Sequence, residues 1–182
     1  EESKISAIEK VLDEFRRKND LLTGAVMDDP VIHARTKGVG VLTRQDIIDY
    51  CAVGPTARAS GVATDVRKDD PYAAYPLVDW QVVTAEEGDV FAKTKVRLLE
   101  MNESVSIIRQ CLKGLLKEKE GDIMVKVNEI PEGIGQGRAE APRGEVFHFV
   151  VSDGSNSPAR HKIRAPSYVN IATFKKSCIG QT

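Results

Sequence analysis

Apolar residues recur along this chain at helical spacing in two places and at strand spacing near the C-terminal end. Between Asp89 and Glu118, Phe91, Leu98, Val105 and Leu112 repeat every seven residues, and Met101, Ile108 and Leu115 form a parallel series. At 1.5 Å of rise per residue this predicts one helix of roughly 45 Å with a single apolar seam. A seam that long needs partners, either a second copy in a coiled coil or the neighbouring helices of a buried bundle, and core packing is the plainer reading. Nearer the N-terminus, Ile5, Ile8, Val11, Leu12 and Phe15 recur at three and four. They predict an amphipathic helix from Ser3, a candidate cap, to about Asp20, with Arg16, Arg17 and Lys18 at its negative end.

Asp28-Asp29-Pro30 interrupts that pattern, and a short helix carrying Ile47, Ile48 and Tyr50 is expected after Thr43, which can cap it with Asp46 three residues on. From Ala52 to Pro76 periodicity disappears, and Gly54, Pro55, Gly61, Pro71 and Pro76 punctuate an irregular segment. It holds Arg58, Asp65, Arg67, Asp69, Asp70, Tyr72 and Tyr75. Loops of this length are usually functional or held by a partner, although a solvated surface loop with internal ion pairs fits the same composition.

Beyond the long helix, Ile123 to Val127 reads as a short strand and Ile130 to Gly137 as a glycine-rich turn. Gly133-x-Gly135-x-Gly137 lacks the spacing and the strand-to-helix setting of a dinucleotide loop. Val146 to Val151 then reads as a strand, Asp153-Gly154 as a hairpin turn, and Arg160 to Ala165 as the returning strand. Ser167 is a candidate cap for a last helix carrying Val169, Ile171, Ala172 and Phe174. Ahead of the hairpin, Pro142 fixes its own φ and pushes Ala141 into extended backbone, while Gly144 permits a sharp turn, so Arg143 is held on a stiff, exposed bend.

Composition narrows the classes. A chain of 182 residues suits one domain, and 41% hydrophobic with 29% charged residues is ordinary for a globular fold. A net charge of −1 with interspersed signs excludes a broad basic face, so no nucleic-acid partner is expected. No apolar run approaches the ~20 residues that span a bilayer, and any membrane connection is expected through partner subunits. Cys51, Cys111 and Cys178 stand far apart, and with His33, His148 and His161 they form no spaced ligand set, so no metal site is expected. Three unpaired cysteines fit a reducing compartment.

Five stretches together carry a resemblance. Thr36-Lys37-Gly38-Val39-Gly40-Val41-Leu42, Gly54-Pro55-Thr56-Ala57-Arg58-Ala59-Ser60-Gly61, Asp65-Val66-Arg67, Pro71-Tyr72 with Tyr75, and Glu140-Ala141-Pro142-Arg143-Gly144-Glu145 ahead of the hairpin occur in one order. In that order the chain resembles the large catalytic subunit shared by membrane-bound [NiFe] hydrogenases and the 49 kDa subunit of respiratory complex I, from about residue 30 onward. The resemblance implies an α+β fold, a fragment of the [NiFe]-hydrogenase large-subunit-like architecture. It has one long buried helix and a small antiparallel sheet in the C-terminal third. The start at Glu1 in a helix-forming run and the stop at Thr182, where a family member would continue into another helix, lead us to expect residues 1–182 to be a single domain excised from a larger subunit.

The same resemblance implies roles. In hydrogenase-type relatives the arginine of the Ala-Pro-Arg-Gly turn stands over the metal centre, which points to Arg143, with Pro142 in the same wall. A permanently charged planar fork stabilises anionic ligands and lowers neighbouring carboxylates without exchanging protons. The relatives' metal is held by two Cys-x-x-Cys pairs that this chain lacks, so Arg143 would stand beside such ligands and not among them. Pairing with Glu140 or Glu145 is its plainer alternative. Arg58, Asp65 and Arg67 are expected to line the cavity or a subunit contact.

The leading expectation is an inactive fragment of an energy-converting hydrogenase large subunit, coupling H2 chemistry and iron-sulfur electron transfer to ion translocation. Phe147, His148 and the short Lys119–Asp122 connection favour that branch. The alternative is a quinone- or phenazine-reducing subunit of a complex I-like NADH dehydrogenase, and a third reading is a non-catalytic scaffold. The first two imply an iron-sulfur small subunit, membrane-embedded ion-translocating partners and a peripheral place on the cytoplasmic face. No cofactor is expected in the fragment itself, with a NiFe centre or a quinone or phenazine acceptor in the intact protein.

Overall fold

The computed structural model describes residues 2–119 and 121–181. Its frame is a pair of long helices, α1 (Glu2–Asp28) and α6 (Val90–Leu115). They run antiparallel, because Asn19 meets Leu98 and Asn102 while Asp13 meets Arg109. Asn19 is buried, and its amide donates to the Leu98 carbonyl and the Asn102 side chain, both at 3.0 Å. Both amide protons are thus satisfied, while the Asn19 Oδ1 is buried without a partner among the described residues. Around it, Leu12 and Val105 are buried, and Val11, Phe15 and Met101 line the same seam.

α1, at 27 residues, is about half as long again as its apolar pattern indicated, and Ser3 lies within it instead of capping it. The expected break falls at Asp29, just past the end of α1, and it also opens a second helix: Asp29 caps α2 (Pro30–Thr36), accepting from the amides of Val31 and Ile32 at 2.7 and 2.9 Å, with Pro30 in the first turn. The expected capping box forms at α3 (Arg44–Asp49), where Thr43 and Asp46 bond reciprocally. α6 begins as expected, with Asp89 as its cap, and ends at Leu115. Phe91, Leu98 and Val105 of the seam are buried, whereas Ile108 and Leu115 face out and Val96 and Ile107 are buried instead.

The irregular stretch after α3 forms much of the core. It contains α4 (Pro55–Arg58), α5 (Val66–Asp69) and a 3-10 turn over Tyr75–Leu77. Leu42, Ile47, Ala52 and Ala57 pack together, and Ala59, Ala85, Ala92 and Val96 make a second cluster against α6. Alanine at 57, 59 and 92 lets backbones approach closely there.

Three antiparallel strands, β1 (Glu132–Ala141), β2 (Gly144–Asp153) and β3 (Arg160–Arg164), form a sheet in the order β1-β2-β3. The expected β2–β3 hairpin is present, but the glycine-rich segment read as a turn is strand β1, paired in register from Glu132↔Asp153 to Ala141↔Gly144. Ile123 to Val127, read as a strand, is not one: it runs unpaired and bare, with Ile123 fully exposed. The chain closes with α7 (Pro166–Ile171) and α8 (Phe174–Ser177). α7 starts on Pro166 with Ala165 at the cap, so Ser167 is inside it and does not cap. Of the Lys119–Asp122 connection, Glu120 lies outside the described residues. The architecture is the expected α+β one, with a long helix and a small antiparallel sheet.

Candidate functional site

Arg58 ends α4 with 2% of its surface exposed, and three carboxylates and a carbonyl converge on it. Its Nε donates to Glu100 at 2.6 Å, and its Nη1 donates to Glu140 at 2.8 Å and to the Thr64 carbonyl at 3.0 Å. Asp65 stands 3.2 Å from the same nitrogen. Asp65 in turn holds Arg67 in a two-point contact, Nε to Oδ1 at 2.8 Å and Nη2 to Oδ2 at 2.6 Å. The Arg67 guanidinium lies 4.5 Å from the centre of the buried Trp80 ring, which adds a cation–π contact.

Four elements bring these groups together. Asp65 caps α5, accepting from the Arg67 amide at 3.0 Å, so its position follows from the helix start. Glu100 projects from the middle of α6. Glu140 comes from β1, where its backbone amide donates to the Tyr72 hydroxyl at 3.1 Å and its second carboxylate oxygen accepts from the Val66 amide at 3.3 Å. The β1–β2 turn is docked by a backbone-to-backbone contact. Gly54, at φ 68°, and Gly144 touch, and a Cβ on Gly54 would fall 2.5 Å from the Gly144 Cα. Only glycine permits both that conformation and that approach.

Burial taxes every charge here, and the number of partners decides the outcome. Burial lowers Arg58, but Glu100, Glu140 and Asp65 outweigh it and hold the guanidinium above its usual range. Arg67 is likewise raised, burial being overcome by Asp65. Two guanidinium groups thus face three carboxylates, and Glu140 carries the surplus: burial pushes it above the ordinary carboxylate range against the pull of Arg58. The Tyr72 hydroxyl is raised by burial as well.

Beside the cluster opens a cleft of about 400 Å³, with Arg58, Arg67, Arg97 and Glu100 as polar wall and Met101 and Pro142 as apolar wall. The residues singled out in the sequence are therefore brought together in large part: Arg58, Asp65 and Arg67 form the cluster, and Pro142 lines the cleft. Arg143 is exposed on the two-residue β1–β2 turn and is not part of the lining. Its expected pairing with Glu140 or Glu145 does not occur. Glu140 is taken by Arg58, and Glu145 by Arg164 at 2.9 Å with Arg138 at 3.9 Å. Among the described residues no carboxylate lies within ion-pair reach of Arg143. Its charge, with that of Arg58, acts instead on Arg97, a solvent-accessible side chain whose head is held below the usual guanidinium range by burial first and those two cations after it.

Glu100, Arg97, Trp80 and the role of Glu140 were not read from the sequence. Glu100 had a readable signal: it is a carboxylate immediately before seam residue Met101. The partnership of Glu140 with Arg58, 82 positions away, had none. Among the described residues no three His, Cys, Asp or Glu side chains are grouped to hold a metal ion. The thiols of Cys51, Cys111 and Cys178 lie exposed on separate segments, so these residues do not fit a thiolate-held metal.

Comparison with known proteins gives one consistent picture. The family profile described as "Respiratory-chain NADH dehydrogenase, 49 Kd subunit" matches residues 1–131 and 122–182. An NADH-quinone oxidoreductase subunit from Dehalococcoides mccartyi is 37% identical over 179 residues, 97% of this chain and 48% of the relative. The carbon monoxide-induced hydrogenase of Rhodospirillum rubrum is 41% identical over 143 residues, 78% of this chain and 39% of the relative. Among solved structures, a chain of the membrane-bound sulfane sulfur reductase, an archaeal respiratory membrane complex, superposes with a TM-score of 0.88 at 28% identity, over 97% of this chain and 49% of that one. The chain thus spans about half the length of the curated relatives it matches.

Proposed function

The chain belongs to the family of the 49 kDa subunit of respiratory-chain NADH dehydrogenase, and from that membership we propose that it is part of the large subunit of a quinone-reducing, complex I-like oxidoreductase. The observation that carries the reading is the Arg58 cleft: three arginines with Glu100 and Glu140, joined by Met101 and Pro142, around a volume of about 400 Å³. A bound quinone would supply the two-electron acceptor. Arg58 and Arg67 are fixed by carboxylates and cannot swing, so their part is to shape and polarise the wall. Arg97, in the lining, and Arg143, on the turn beside it, are free of carboxylate partners among the described residues, and the donors Arg97 does not give to the Lys93 carbonyl are available to an oxygen that gains negative charge.

The names of the relatives support the quinone-type reading over the hydrogenase-type one that the sequence put first, because NADH-quinone oxidoreductase subunits recur among them. The hydrogenase reading keeps the Rhodospirillum rubrum relative in its favour. On either reading the partners are an iron-sulfur small subunit and membrane-embedded ion-translocating subunits, with this chain peripheral on the cytoplasmic face. No helix among the described residues is long and apolar enough to cross a membrane.

Arg143→Lys in the assembled complex tests whether the turn beside the cleft supplies a donor to the acceptor. The residue is exposed, so assembly should persist, while loss of the planar fork should lower quinone reduction at least tenfold. Unchanged turnover removes Arg143 from the acceptor site. Nickel per large subunit, measured by elemental analysis on the same complex, separates the two readings: near-stoichiometric nickel supports the hydrogenase, and an active nickel-free complex supports the quinone reductase.

A further inference from the structure

His148 and His161 form a cluster on the sheet that the cleft does not use. His148 is on β2 opposite Ile163, and His161 is on β3 opposite Val150, so the two are diagonal neighbours on one face. Their rings are 5.1 Å apart, and Nδ1 of His148 lies 2.9 Å from Nε2 of His161. Both rings are solvent-accessible. Glu140 pairs with Glu145 and Gly137 with His148, so alternation along β1 places the histidines on the face opposite the one that carries Glu140 to Arg58.

The glycine repeat of β1 completes this face. Gly133, Gly135 and Gly137 stand opposite Ser152, Val150 and His148, and a Cβ added at any of the three would meet nothing within 4 Å. The repeat that does not suit a dinucleotide loop therefore leaves an open, side-chain-free shelf next to two imidazoles whose ring nitrogens converge.

We propose that His148 and His161 form a two-histidine site for a divalent transition-metal ion, with water completing the coordination over the glycine shelf. In the metal-free chain the pair shares one proton, one ring donating and the other accepting. On binding, the donating ring takes its other tautomer, its proton moving through solvent water to the ring's second nitrogen, so that each neutral imidazole presents one lone pair to the ion. Two nitrogens 2.9 Å apart, each about 2.05 Å from one metal, subtend about 90° at it. That is the cis angle of a tetragonal ion, whereas a tetrahedral ion requires the nitrogens to separate to about 3.3 Å. The geometry thus favours Cu2+ and Ni2+ over Zn2+, with Cu2+ tightest in the usual order of affinities.

The test is titration of the 182-residue chain with CuCl2, NiCl2 and ZnCl2 in a non-coordinating buffer at about pH 7.5, where imidazole is neutral. Calorimetry should give one ion per chain at this site, Cu2+ tighter than Ni2+ and Ni2+ tighter than Zn2+, and the Cu2+ electron paramagnetic resonance spectrum should show two nitrogen ligands. His161→Gln, at an exposed position, should weaken Cu2+ more than tenfold with unchanged circular dichroism, and His148→Gln should do the same. Independently of any variant, substoichiometric Cu2+ should broaden the ring signals of His148 and His161 together in the NMR spectrum of the unaltered chain. Cu2+ affinity within twofold of the parent in His161→Gln, tighter binding of Zn2+ than Cu2+, or broadening confined to one ring each overturns the assignment.

Discussion

Two stretches of this chain invert the usual relation between polarity and burial. The segment from Ala52 to Asp70 is dense in charge, yet Arg58 and Asp65 are almost wholly buried within it. The segment from Ile123 to Ile130 is dense in apolar residues, yet Ile123, Met124, Val125 and Val127 are all exposed. The difference lies in partners. Arg58 meets three carboxylates and a carbonyl supplied by α5, α6 and β1, which offsets its desolvation. The apolar run has no strand beside it and no helix beneath it among the described residues, and hydrophobicity alone gives a segment no place to go. What each stretch becomes is decided by what the rest of the fold brings to it.

The strongest way to break the comparison is to remove the centre of the charged region. Arg58→Met leaves Glu100, Glu140 and Asp65 with one guanidinium between them, and uncompensated buried charge should cost about 3–5 kcal/mol. Urea denaturation would register this as a large drop in midpoint at unchanged slope; a loss under about 1 kcal/mol would mean that the cluster is hydrated. Gly54→Ala attacks the docking of the turn and leaves every charge in place. With φ at 68° and the Gly144 backbone in the way, it should cost roughly 1–3 kcal/mol and release Glu140 from Arg58, seen as lost amide protection at Val66.

A pH series sharpens the picture at one group. The folded value of Glu140 lies above its ordinary 4.5 because burial outweighs the pull of Arg58, so the native state binds the proton more tightly than the unfolded chain. Its contribution is fully present below the unfolded value and is lost as pH rises through the folded one. Glu140→Gln should flatten that part of the stability profile, and the carboxyl carbon of Glu140 should titrate above 4.5 by NMR. A midpoint at or below 4.5 would show that Arg58 dominates. The smallest effect belongs to the other stretch: Val125→Ser should change stability by less than about 0.5 kcal/mol. A larger loss in the chain itself would show that the run is covered in solution.

Several features were legible because local chemistry settles them. The Thr43–Asp46 capping box, the start of α6 at Asp89 and the Asp153-Gly154 hairpin each depend on residues within a few positions of one another. Strand β1 was not legible, since glycine at 133, 135 and 137 erases one half of the period-two pattern by which a strand is read. The break at Asp29-Pro30 was legible, since α1 ends at Asp28, but the helix that Pro30 opens was not, because proline serves equally to stop a helix and to begin one. Within the site, the sequence singled out Arg58, Asp65, Arg67 and Pro142 but gave Arg143 partners it does not have.

By itself, then, the sequence determined the family, the two long helices, the hairpin and the polar residues around which a site is built, because these follow from motif order, periodicity and turn chemistry. The tertiary structure decided that Glu140 serves Arg58, that Arg143 and Arg97 keep their charges unpaired among the described residues, and that the apolar run after α6 stays bare. The physical reason is range. Ion pairing and burial depend on groups tens of residues apart meeting in a medium of low dielectric, and only the packing of β1 and α6 against α4 and α5 brings them within reach.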